Sequence, residues 1–104
     1  MDIRGTLEKL LELVVDAETL ALQGEVRSSQ FVQLQKAIKQ IATVGREQSR
    51  IGMVESLVAS PYEGCFISIL DDLDSAEGQE TDWEDFLLWN RKAIELVLES
   101  REVP

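Results

Sequence analysis

Histidine is missing from all 104 residues of the chain, and cysteine occurs once, at position 65. The first absence excludes histidine phosphotransfer, imidazole-based catalytic triads and histidine-containing zinc sites. The second excludes an intrachain disulfide, CxxC redox chemistry and a thiolate zinc cluster within one chain. Cys65 lies between Gly64 and Phe66 with no imidazole to activate it. It reads as a small buried hydrophobe. A chain without a disulfide framework suits a reducing compartment, so the cytoplasm is the expected location.

Other absences narrow the field further. No apolar run approaches the roughly 20 residues that span a bilayer. The N-terminus lacks a basic segment followed by an apolar one, so no signal peptide is expected. Bases are scarce: ten Lys and Arg stand against twenty Asp and Glu, for a net charge of -10. That balance disfavours direct nucleic-acid binding and adsorption to anionic membranes. Gly45 and Gly52 bracket REQSRI without the lysine and serine of a nucleotide loop, so no phosphate cradle is expected. No cofactor is implied.

What is present suits a small helical core. The hydrophobic fraction is 44%, and the length corresponds to one acidic domain over residues 1–104. Charge is uneven. Residues 26–60 carry Arg27, Lys36, Lys39, Arg46 and Arg50 against Glu47 and Glu55, whereas residues 61–104 carry twelve acids and three bases. The basic middle is expected to pack between acidic helices. The same asymmetry also suits self-association.

Apolar residues recur at three- and four-residue steps along most of the chain, which predicts an all-α, compact four- to five-helix bundle. Helix one runs from about Arg4 to Leu22, started by Asp2 and stopped at Gly24. Its apolar arc is wide enough for more than one neighbour, and Glu18 is expected at an exposed edge. Helix two starts near Gln30 after a serine cap, with Lys36 and Lys39 on a solvated face. On an unbent continuation Val54 and Val58 fall opposite Ile38, so a bend or turn is expected between Gly45 and Gly52. A third helix would then cover Ile51 to Ala59; the competing reading makes helices two and three one bent helix. Tyr62 to Leu73 follows as a helix, although Cys65 to Leu70 also reads as a buried strand. Ser75 to Gln79 is a loop, and a helix capped by Thr81 or Asp82 runs to Glu99.

The last third holds the candidate functional residues. Asp71, Asp72, Asp74, Asp82 and Asp85 form an acidic rim. Their density invites a hard cation, but the spacing from Asp72 fails as a calcium loop, with Glu77 at the sixth position and Trp83 at the twelfth. The pairs Asp71/Asp74 and Asp82/Asp85 leave a Mg²⁺-dependent helical hydrolase, acting on a phosphorylated substrate, as the alternative function. No metal is assigned. In the closing helix Asn90 sits at the centre of the apolar stripe, where a buried amide needs partners and can fix register in a homodimer. Leu88, Trp89 and Leu96 lie off that stripe and offer a second contact surface. The expected function is therefore a non-catalytic interaction or assembly module. It would bind a protein partner, a basic one by charge, or a second copy, through an acidic-rimmed helical surface. An inhibitor or immunity-type protein is one such class.

Overall fold

Asp2 starts the first helix by accepting the Gly5 N–H at 2.7 Å, so one orphan donor of the first turn is satisfied. In the computed structural model, which describes residues 2–56, 61–76 and 81–99 (the backbone alone for 51–56 and 61), this helix is α1, Ile3–Leu22. It ends at Gly24, whose φ of 77° places it in the left-handed region. There the Gly24 N–H donates to the Ala21 carbonyl at 3.0 Å and the Glu25 N–H to the Leu20 carbonyl at 2.9 Å, which closes the last turn. The Ser28 hydroxyl then accepts the Phe31 N–H at 3.1 Å and opens α2, Ser29–Ser56. The remaining helices are α3, Pro61–Ala76, and α4, Trp83–Glu99.

No turn separates Gly45 from Gly52: α2 is one continuous helix across both glycines, as in the competing reading in which helices two and three are one. The side chain of Val54, and residue 58 altogether, lie outside the described residues, so the inward set expected for a separate third helix does too. Gly45 has another use. It is buried, and a Cβ built on it would overlap the ring of Phe66 on α3. Glycine is there because an aromatic ring rests on the helix backbone. The Ser49 hydroxyl, one turn on, is also buried and donates back to the Gly45 carbonyl at 2.9 Å, which satisfies it without a partner from another helix.

Cys65 to Leu70 is helical, part of α3. A helix satisfies its own backbone groups, whereas a lone strand would have left them unpaired. The described residues contain no strand. Ser75 and Ala76, expected in the loop, extend α3, and residues 77–80 lie outside the described part.

The four helices alternate in direction around one core. Thr6 of α1 meets Gln48 of α2, with 2.7 Å between the Thr6 hydroxyl and Gln48 Oε1. The Arg4 guanidinium donates to the Leu98 carbonyl at 2.9 Å, bringing the start of α1 to the end of α4. Phe31 and Trp83 pack edge-on with ring centroids 5.3 Å apart, bringing the starts of α2 and α4 together. Cys65 of α3 lies against Ala93 of α4. Each helix thus neighbours the ones before and after it, and α4 returns to α1. The core includes Leu10, Val14, Phe31, Ile38, Phe66 and Ile94, all at most 1% exposed. Burying each such side chain contributes roughly 1.5–3 kcal/mol before the entropy of ordering is counted. No helix among the described residues is long and apolar enough to cross a membrane.

Candidate interaction surface on the last helix

Helix α4 buries one face and carries two large apolar side chains on its outer one. Leu87, Asn90 and Ile94 point inward and are buried, with Trp83, Phe86, Val97 and Leu98 partly buried around them. Asp85, Trp89, Lys92, Leu96 and Glu99 follow at alternating four- and three-residue steps, which aligns them in one stripe. All five are exposed. Trp89 and Leu96 are each 69% exposed, and two helical turns, about 10 Å, separate them. Ala93 lies between them and is also exposed. The Lys92 ammonium sits 5.8 Å from the Trp89 ring centroid, a cation–π contact worth about 0.5–1 kcal/mol at an exposed site. Leu88, expected alongside Trp89, is half-buried. Lys92 and Ala93 were not singled out by the sequence reading. Carrying the three- and four-residue steps along the outer face, instead of the apolar residues alone, would have found Lys92 beside Trp89.

Asn90 is 6% exposed. Its amide donates to the Phe86 carbonyl at 2.8 Å and to Asp72 Oδ2 at 3.1 Å. Both amide donors are therefore satisfied within one chain, and the second fastens α4 to α3. Asp72 remains exposed, so the acidic rim and the buried amide are parts of the same seam.

The rim itself lies in two groups flanking the α3–α4 connection. Asp71, Asp72 and Asp74 are exposed near the end of α3, and Asp82 and Asp85 are exposed at the start of α4. Asp82 caps α4, accepting the Asp85 N–H at 3.3 Å. Glu84 and Asp85 occupy the first turn, at the positive end of the helix dipole. Among the described residues no three acidic or cysteine side chains converge where a metal ion could be held.

Glu18 is not at an open edge. Its side chain is 17% exposed and meets Arg91 Nε at 2.8 Å; a second Arg91 nitrogen meets Glu95, also at 2.8 Å. The hydrogen bonds that Arg91 donates, first to Glu18 and then to Glu95, raise the guanidinium pKa above its ordinary range, against the opposing effect of desolvation. The carboxylate thus serves α1–α4 packing. Cys65 is buried, and burial pushes its thiol up, away from the reactive thiolate. Lys36 and Lys39 are exposed on the outer side of α2, beside an open depression that also touches Gln40, Thr43 and Val44.

Comparison of the chain with protein-family models, with curated proteins and with solved structures finds no match.

Proposed function

We propose that the chain is a non-catalytic interaction module whose outer α4 face docks a protein partner, in the cytoplasm. The observation that carries this reading is the pairing of Trp89 and Leu96 on one stripe, both 69% exposed. Large exposed aromatics are common interface anchors, because a rigid ring removes much apolar surface from water at low entropic cost. Other exposed apolar residues, such as Val15, Val32 and Ile67, are distributed over α1, α2 and α3 and fall within what ordinary surfaces carry. An inhibitor or immunity-type role, in which an acidic protein occupies a basic enzyme, is one form of this function.

The test is affinity purification of the tagged chain from its native cell, comparing wild type with the Trp89→Ala/Leu96→Ser double variant by quantitative mass spectrometry. A stoichiometric partner lost in the variant, with helicity and melting temperature retained, is the expected result. Partner recovery unaffected by both substitutions overturns the reading. Adding Mg²⁺ to the purified protein separates the alternative. A melting temperature that rises with Mg²⁺, and no longer does so after Asp71→Asn/Asp74→Asn, would favour a cation-dependent helical enzyme.

A further inference from the structure

We propose that the occupant of the α4 stripe is a cationic polypeptide segment of another protein and not a second copy of this chain. The inference rests on the stripe being an interface and adds the chemistry of what covers it. From Ile51 to Asn90 the sequence contains no Lys or Arg. Every charged group on α3 and on the first two turns of α4 is consequently an acid. Asp71, Asp72, Asp74, Asp82, Glu84 and Asp85 are all exposed, and none has an ion-pair partner among the described residues. The bases that follow do not offset them. Arg91 is engaged by two carboxylates, and Lys92 lies over the Trp89 ring.

A second copy is poorly suited to this face. A two-fold axis through Trp89 brings Asp85 of each copy towards Lys92 of the other. The same antiparallel pairing sets Asp82 at the start of one helix opposite the Leu96–Glu99 end of the other, where Glu99 is a further exposed acid and no described base lies, and like charges in apposition raise the cost of association. A basic segment meets both requirements at once. Apolar side chains spaced about two helical turns cover Trp89 and Leu96. Lys or Arg beside them faces the acids, and an arginine can replace Lys92 on the indole face.

The experiment uses the full chain and two synthetic amphipathic peptides of one length, one built from leucine and lysine and the other from leucine and glutamate. Binding is read by calorimetry on the wild type, and by indole emission in a Trp83→Phe variant that leaves Trp89 as the sole tryptophan. The calorimetric arm stands without the variant if Trp83→Phe disturbs folding. The lysine peptide should bind and shift the Trp89 emission to the blue, and the glutamate peptide should not bind. Affinity for the lysine peptide should fall at least tenfold in Trp89→Ala/Leu96→Ser. It should fall at least tenfold in Asp71→Asn/Asp74→Asn/Asp85→Asn, but less than twofold in Glu8→Gln/Glu12→Gln/Glu47→Gln, which removes the same formal charge from other surfaces.

Equal losses in the two charge variants would reveal diffuse attraction to an acidic protein and overturn the inference. So would binding of the glutamate peptide, or a native dimer abolished by Trp89→Ala/Leu96→Ser. In the purification experiment, a partner that needs Trp89 but ignores neutralisation of Asp71, Asp74 and Asp85 sinks only the cationic occupant. A partner indifferent to Trp89 and Leu96 sinks the interface itself.

Discussion

At position 45 two rules for glycine give opposite advice. Helix propensity favours replacing it, by about 1 kcal/mol for alanine. Packing forbids it, because the Cβ would enter the ring of Phe66, which is fully buried and has nowhere to move. Overpacking of this kind costs about 1–3 kcal/mol, so Gly45→Ala should lower stability on balance. Gly64 is the control: it is helical and exposed, with nothing near its absent Cβ. Gly64→Ala should gain about 0.5–1 kcal/mol. Urea unfolding midpoints that move in opposite directions check both. The helical pattern on either side of Gly45 was legible in the sequence. The ring packed on it was not, because the 3.6-residue period does not record which residue of a distant helix approaches the backbone.

Asn90 was easier to read. A polar residue centred in an apolar stripe must find partners, and it does so in Phe86 and Asp72. Which partners those would be was not legible, since Asp72 reads as one of several solvated acids. Asn90→Asp would place a second carboxylate against Asp72 in a mostly buried position. Repulsion and desolvation both favour the protonated form of such a group. Its folded-state pKa would then lie above the unfolded value, so the penalty is full at neutral pH and is relieved as pH falls through the folded value. Denaturation of the variant and wild type across pH 4–8 should show their difference shrinking towards acid. A difference that stays constant counts against the contact.

Between elements, charged closure falls on the seam between α1 and α4, beside the neutral Thr6–Gln48 contact of α1 with α2 and the Asn90–Asp72 contact of α4 with α3. Helix α4 has no base in its own last turn, and Arg4 of α1 donates to its Leu98 carbonyl instead. Further along, Glu18 meets Arg91. Among the described residues, this is the ion pair that joins two helices. The basic α2 does pack between α1 and α3, as its charge suggested, but Arg46 and Arg50 pair with Glu47 of their own helix. The attraction expected across its edges thus takes no direct ion-paired form among the described residues. A double-mutant cycle of Glu18→Gln and Arg91→Met should return a coupling of about 0.5–1 kcal/mol for this partly exposed pair. A coupling near zero would leave α1–α4 packing to its apolar contacts. The wide apolar arc of α1 predicted more than one neighbour, and α1 has α2 on one side and α4 on the other. Helix type and most boundaries followed from periodicity and caps. Which acid would face which base required knowledge of helix direction and rotation.

For the whole molecule, charge is sorted by position. The end of the bundle where α3 runs out and α4 begins carries Asp71, Asp72, Asp74, Asp82, Glu84 and Asp85, all exposed, within a stretch that lacks any base. Self-repulsion there destabilises the folded chain and is screened within a Debye length of about 8 Å at physiological ionic strength. Raising NaCl from 10 to 150 mM should therefore raise the melting temperature; a fall would mean that attractive pairs dominate the surface. The net charge of -10 was legible from composition. Its concentration at one end depends on α3 and α4 running antiparallel.

The return of α4 to α1 also has a consequence for the order of synthesis. Helix α1 leaves the ribosome before α2, α3 and α4, yet α4 is one of its two main neighbours. Until α4 emerges, the α4-facing side of α1 is uncovered, and Arg4 and Glu18 lack their α4 partners, the Leu98 carbonyl and Arg91. The nascent chain therefore has an open ring of helices with one unsealed apolar flank, the kind of surface that recruits chaperones or pairs with another incomplete chain. Termination upstream of Trp83 leaves that flank permanently uncovered, so a shortened product should appear in the insoluble fraction.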